Sequence, residues 1–164
     1  MTATIRKNII WVFLFLAGSI QAQEGDTVAV FYKTDKFEAA IFPGTSKDLF
    51  PGPSRFTPTQ DDVNAAEAAL SRQLAELNAD KQNQGMTPVI DKHLKKYKRQ
   101  YFGYVDMNGR KILFINMFWK RDKDNMELWL QEKVSELGGG SYFWNVKYNL
   151  ETGELFDLDV NRDM

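Results

Sequence analysis

Between Val63 and Leu77 apolar residues recur every three or four positions, as Val63, Ala66, Leu70, Leu74 and Leu77, among polar residues and alanines. That period predicts an amphipathic helix with one narrow apolar stripe, running from Pro58 to about Asn78. Thr57 stands at the N-cap position, Pro58 at the first helical position and Gln60 where a capping box places its acidic or amide partner. Asp61 and Asp62 add negative charge where the helix dipole favours it. A helix lying on a sheet is the main reading; a coiled-coil seam is the lesser one, because three heptads is short.

Elsewhere the pattern changes period. Residues 27–32 read as a short strand, residues 37–42 as an element of undetermined type, and residues 43–53, with three prolines and two glycines, as a loop or extended wrap. Tyr97 to Met107 and Arg110 to Lys120 flank Asn108-Gly109, the pair favoured by a two-residue type I′ turn. That turn sets Asp106 against Lys111, Val105 against Ile112, Tyr104 against Leu113 and Phe102 against Ile115. A second hairpin ends the chain. With Glu151-Thr152-Gly153 as a three-residue loop and Gly153 left-handed, Tyr148 faces Phe156, Lys147 faces Asp157 and Val146 faces Leu158. Its apolar face is Trp144, Val146, Tyr148, Leu150, Phe156, Leu158 and Val160; Asn145, Lys147, Asn149, Asp157 and Asp159 lie opposite.

The first hairpin is apolar on both faces. Val105, Tyr101, Ile112, Phe114 and Phe118 form one, and Tyr104, Phe102, Leu113, Ile115, Met117 and Trp119 the other. One helix covers one face, so a second cover is required: residues 28–56, the segment Met126-Glu127-Leu128-Trp129-Leu130, or another molecule.

The N-terminus adds an address. Arg6 and Lys7 precede the apolar run Ile9 to Ala17, and small and polar residues follow to Gln23, which is the layout of a secretory signal peptide cleaved after Ala22, or alternatively after Ser19. The run is about half the roughly 20 residues needed to span a bilayer, so a permanent anchor is the lesser reading and no stable span remains after cleavage. The expected organisation is residues 1–22 as signal, 23–56 as an N-terminal strand and extended segment, and 57–164 as a single α+β domain. In that domain one main helix packs on an antiparallel sheet of four or more strands. Export places the protein in the periplasm or outside the cell.

The chain has no cysteine, so it lacks disulfides, a lipoprotein anchor and thiol chemistry, and packing must stabilise it. Its formal net charge is −1, and −3 without the signal's two cations Arg6 and Lys7, which gives no global attraction to nucleic acid.

The helix followed by two hairpins, with the segments Tyr97-Lys98-Arg99-Gln100-Tyr101-Phe102-Gly103-Tyr104, Ile115-Asn116-Met117-Phe118 and Gly139-Gly140-Ser141-Tyr142-Phe143-Trp144-Asn145-Val146-Lys147-Tyr148, resembles a group of small, uncharacterised exported bacterial proteins with a cystatin-like layout. The resemblance covers about residues 57–161 and implies a curved antiparallel sheet wrapped on one helix. It implies no activity: the cystatins' Gln-x-Val-x-Gly hairpin tip is replaced by Asp106-Met107-Asn108-Gly109-Arg110, and no Pro-Trp pair exists.

No catalytic signature emerges. His93 is the lone histidine and lies in a polar, lysine-rich approach to a strand. Asp157, Asp159, Asn161 and Asp163 alternate like a calcium loop, but Arg162 occupies the glycine place and the chain ends too soon. Asp122 to Asn125 fails likewise. Gly138-Gly139-Gly140 precedes a strand instead of opening a helix, so it reads as a flexible entry, not a phosphate cradle. Lys92, Lys95, Lys96, Lys98 and Arg99 suit a charged edge that deters aggregation. No metal or cofactor is expected.

The expected function is a non-enzymatic binding or interaction protein of the cell envelope, acting on a protein partner or a second copy of itself. Phe102, Tyr104, Trp119 and Trp129 are its candidate contact residues. The alternative is a small-ligand binder or hydrolase with a pocket between helix and sheet, marked by convergence of Asp106, Tyr101 or His93.

Overall fold

The computed structural model describes residues 28–46, 54–120 and 128–163. The expected signal peptide, its cleavage site and the segment Asp122 to Asn125 lie outside the described residues. Among the described residues seven strands form one sheet: β1 (Val30–Lys33), β2 (Glu38–Ile41), β3 (Ser54–Phe56), β4 (Tyr97–Val105), β5 (Lys111–Trp119), β6 (Phe143–Asn149) and β7 (Glu154–Val160). The order is β1-β2-β4-β5-β6-β7, with β3 pairing the far half of β4's outer side. The fold is α+β, as expected, but not wholly antiparallel. β2 runs parallel to β4, which the intervening helix α1 (Gln60–Leu77) permits by supplying a long crossover.

Helix α1 begins two residues later than its sequence predicts. Thr59, not Thr57, is the N-cap: its hydroxyl accepts from Asp62 N at 3.1 Å, while Asp62 Oδ2 accepts from Thr59 N at 2.8 Å. A carboxylate returning the bond is a stronger acceptor than the Gln60 amide, and Thr57 is engaged otherwise, accepting from Gly44 N at 3.0 Å. Val63, Ala66, Leu70 and Leu74 are buried as the stripe requires, joined by Ala69; Leu77 at the last turn is partly exposed. The stripe rests on the sheet. Gln73 fixes the helix to the last hairpin, donating to Gly153 O and accepting from Leu155 N, both at 2.8 Å.

The first hairpin turns differently from the expected I′ form. Among its loop residues only Gly109 has positive φ, at 80°, and Asp106 and Arg110 close a three-residue loop through Asp106 N to Arg110 O at 3.0 Å. Asp106 also accepts from Asn108 N and Arg110 N, each at 2.9 Å, and from the Arg110 guanidinium at 2.8 Å. A type I turn ending in left-handed glycine, held by this side-chain turn, wins over the two-residue alternative. The register slips by one: Val105 faces Lys111, Tyr104 faces Ile112, Phe102 faces Phe114 and Tyr101 faces Ile115. A one-residue slip exchanges faces. Tyr97, Arg99 and Tyr101 therefore join Leu113, Ile115 and Met117 toward α1, and Phe102 joins Phe114 and Phe118 on the opposite side.

The second hairpin follows its expected register at Trp144–Val160 and Asn145–Asp159, then shifts by one toward the turn, where Tyr148 faces Leu155 and Lys147 faces Phe156. A bulge absorbs the difference at Asp157, φ 56°, and Lys147 and Asp157 still form the expected ion pair. Gly153 is left-handed, as its turn demands, at φ 72°.

Both sheet faces are covered from within. Against α1 lies the larger core, including Ile90, Tyr97, Tyr101, Trp144 and Val146. The second face is closed by Ala29, Ala40 and Phe42 together with Trp129, Leu130 and Val134, the first two of these on the short helix α2 (Leu128–Gln131). Intramolecular cover is thus drawn from both proposed segments at once. Gly103 admits β3 alongside β4: a Cβ there would lie 2.6 Å from Phe56 O, so only glycine lets β3 pair at that point.

Two tyrosines bind this architecture to pH. Burial pushes the Tyr101 phenol well above its ordinary value, with the Glu67 carboxylate adding to the rise, and burial also raises Tyr97, whose hydroxyl donates to Ser141 O at 2.7 Å. The folded chain therefore retains phenolic protons that the unfolded chain sheds, and stability falls as pH climbs past 10. The expected slope is up to about 1.4 kcal/mol per pH unit for each phenol. Urea unfolding at pH 8, 10 and 11 should show a flatter decline for Tyr101→Phe than for the parent; parallel declines would overturn the assignment.

Candidate functional site

The four expected contact residues do not form one surface. Phe102 is wholly buried, stacked on Phe42 with centroids 4.5 Å apart. Trp129 is buried too, edge-on to Phe118 and to Phe31 at 5.9 Å each, with the Lys98 ammonium 5.0 Å over its ring. Tyr104 is half-buried near the hairpin tip, its phenol raised chiefly by burial. Trp119 lies on the opposite face, half-buried against Tyr97 at 5.1 Å and Tyr142 at 5.4 Å. The register slip explains the separation, because it puts Phe102 and Trp119 on different sides. The aromatic sheet face is core, covered by residues 29–42 and 129–134.

Gln100 and Asn116, facing each other across β4 and β5, lock that cover in place. Gln100 is fully buried and makes four bonds: its amide donates to Trp129 O at 2.8 Å and Glu132 O at 2.7 Å, and its carbonyl accepts from Val134 N and the Asn116 amide at 2.9 Å. Asn116 also donates to Val134 O at 2.8 Å. Two sheet amides thus hold the backbone of residues 129–134. Every capacity of Gln100 is met, so the network stabilises the cover instead of awaiting a ligand.

The residues of the alternative reading are also dispersed. Asp106 is committed to Arg110, whose hydrogen bond lowers its pKa, and Tyr101 donates to Glu67 at 2.7 Å under α1. His93 is exposed, with its ring edge toward Trp119 at 6.0 Å. The Asp/Asn alternation at the C-terminus has separate partners: Asp157 pairs with Lys147, Asp159 accepts from Asn145 at 3.2 Å, and Asn161 donates to Glu136 O and Gly138 O. The glycine run before β6 is tied at its end: Gly140 is buried and its N–H donates to Arg162 O at 3.0 Å. Among the described residues no group of three or more His, Asp or Glu could hold a metal ion, and no helix is long and apolar enough to cross a membrane.

Two features remain on the surface. The first is the edge strand β1, which pairs only with β2 among the described residues. Val28, Val30 and Phe31 are 49%, 57% and 41% exposed, and Leu128 beside Trp129 is 53% exposed. The remaining exposed large apolar residues, Leu77, Met86, Met107 and Leu137, are scattered over a helix end, loops and turns. Ala29 N donates to Leu130 O at 2.7 Å, so the start of the edge is tied to α2. The second is a pocket of about 200 Å³ at the end of that strand, lined by Lys33, Lys36, Lys95, Lys98 and Lys120. The sequence marks residues 27–32 as a strand and 92–99 as basic; edge position and the approach of Lys33, Lys36 and Lys120 arise only from pairing.

Comparison with known proteins finds no family model, no curated protein and no solved structure that matches the chain.

Proposed function

We propose that the chain is an exported, non-enzymatic interaction protein of the cell envelope that docks an extended segment of a partner protein on the edge of β1 that no strand pairs among the described residues. The observation carrying this reading is the cluster of exposed apolar side chains at that edge, Val30 and Phe31 on β1 with Val28 just before it and Leu128 on the neighbouring α2. An edge strand offers unpaired backbone donors and acceptors, and native proteins ordinarily blunt such edges with charge, proline or a bulge. The β7 edge follows that practice, with Glu154, Asp157 and Asp159 exposed and a bulge at Asp157. β1 instead presents Val30 and Phe31, and its only charge is Lys33 at the end. Strand addition suits it: main-chain bonds supply affinity and alternating side chains supply selectivity. The partner segment is apolar in alternation. The signal-peptide pattern supports export, and the sequence α1–β4–β5–β6–β7 supports a cystatin-like layout for residues 57–161.

A photo-crosslinking residue at Val30, and as control at Leu137, tests the proposal in the native exported fraction. The expected result is a crosslink at 30, absent at 137, that maps to an extended segment. A synthetic peptide of that segment should bind the purified chain, with binding reduced at least tenfold by Val30→Lys. Equal crosslinking at both positions, or a crosslink only to a second copy, overturns it.

A further inference from the structure

We propose that the lysine-lined pocket beside the β1–β2 turn binds a compact multivalent oxyanion. Its lysines come from three distant stretches of chain. Parallel pairing sets Glu38 beside Lys98, and Lys120 N donates to Lys96 O at 2.8 Å, so residues 33–38, 95–98 and 120 converge. The turn between β1 and β2 is fixed by the Thr34 hydroxyl, which accepts from Lys36 N at 3.1 Å and Phe37 N at 3.2 Å. Phe37 and Tyr97, both buried, also line the pocket.

Charge decides what fits. Five lysines and two carboxylate residues, Asp35 and Glu38, line it, in a chain whose formal net charge is −1; the Lys98 ammonium is already placed over the Trp129 ring, which leaves Lys33, Lys36, Lys95 and Lys120 as the cations for a ligand. Glu38 is engaged by Lys33 at 3.0 Å and Lys120 at 3.1 Å. Burial alone would raise its pKa, but hydrogen bonds from these lysines hold it low, so it neutralises part of the cluster. Lys36 and Lys95 have no carboxylate within ion-pair distance among the described residues. Gathering like charges costs energy that a bound anion recovers. A volume of about 200 Å³ holds a phosphate or a tricarboxylate. This site is separate from the apolar positions of β1, and its test reads a different ligand.

Titration of the purified chain with inorganic phosphate, citrate or chloride, followed by amide chemical shifts, checks the proposal. Phosphate or citrate should give saturable shifts at residues 33–38 and 95–98, and whichever binds tighter identifies the oxyanion class; chloride should not saturate. The double variant Lys36→Gln/Lys95→Gln should weaken binding at least tenfold, whereas Lys111→Gln, at the opposite end of β5, should change it less than twofold. Circular dichroism of the double variant should match the parent, since both side chains are exposed. Linear shifts with every anion, or equal affinity in parent and double variant, would overturn the site.

Discussion

Arg99→Met is expected to destabilise the fold by about 3–5 kcal/mol, the cost of stranding one member of a buried ion pair. The Arg99 side chain is 2% exposed and that of Glu67 13%. Arg99 Nε donates to Glu67 Oε1 at 2.7 Å and Nη2 to Oε2 at 3.3 Å, while Nη1 donates to Tyr97 O and the guanidinium lies 5.3 Å over the Phe37 ring. The fork thereby joins α1, β4 and the end of the β1–β2 turn. Removing the cation leaves the Glu67 carboxylate with the Tyr101 hydroxyl and little water. The paired replacement Glu67→Leu/Arg99→Met should recover part of the loss, because apolar groups of similar volume carry no desolvation cost, while the buried Tyr101 hydroxyl is left without its acceptor. Urea unfolding of the two single variants and the double measures the coupling; a single variant within about 0.5 kcal/mol of the parent would show that the pair holds nothing together.

Phe102→Ala should cost a similar amount, about 3–5 kcal/mol. The ring is fully buried, stacked on Phe42 and 6.3 Å from Phe114, so truncation opens a cavity between the sheet and its inner cover. This variant separates two roles for the aromatic face. A core residue loses stability when truncated; a docking residue loses partner binding at unchanged stability. An unfolding midpoint equal to the parent's would restore Phe102 as a contact residue. The expected loss places it in the core and leaves docking to Val30 and Phe31.

The slip in the first hairpin shows where local signals stop. The two strands and the turn between them are legible because alternation, β-branched and aromatic residues and Asn108-Gly109 act over a few positions. Choosing between a two-residue and a three-residue loop depends on Asp106 accepting from Asn108 and Arg110, a difference of one residue that exchanges Tyr101 and Phe102 between faces. A two-residue loop would set Trp119 and Phe102 on one face; the three-residue loop sets them on two.

The sequence by itself determined the main helix, the four strands of the two hairpins, the left-handed Gly153 and the need for a second cover on the first hairpin. Each follows from periodicity, turn chemistry or the count of apolar positions, all carried by neighbouring residues. Tertiary structure alone decided that β2 runs parallel to β4, that Phe42 and Trp129 share the cover, that Gln100 clasps residues 129–134, and that lysines 33, 36, 95, 98 and 120 surround one pocket. Those outcomes depend on contacts between segments tens of residues apart, where many pairings satisfy the same local pattern and only the packed whole selects among them.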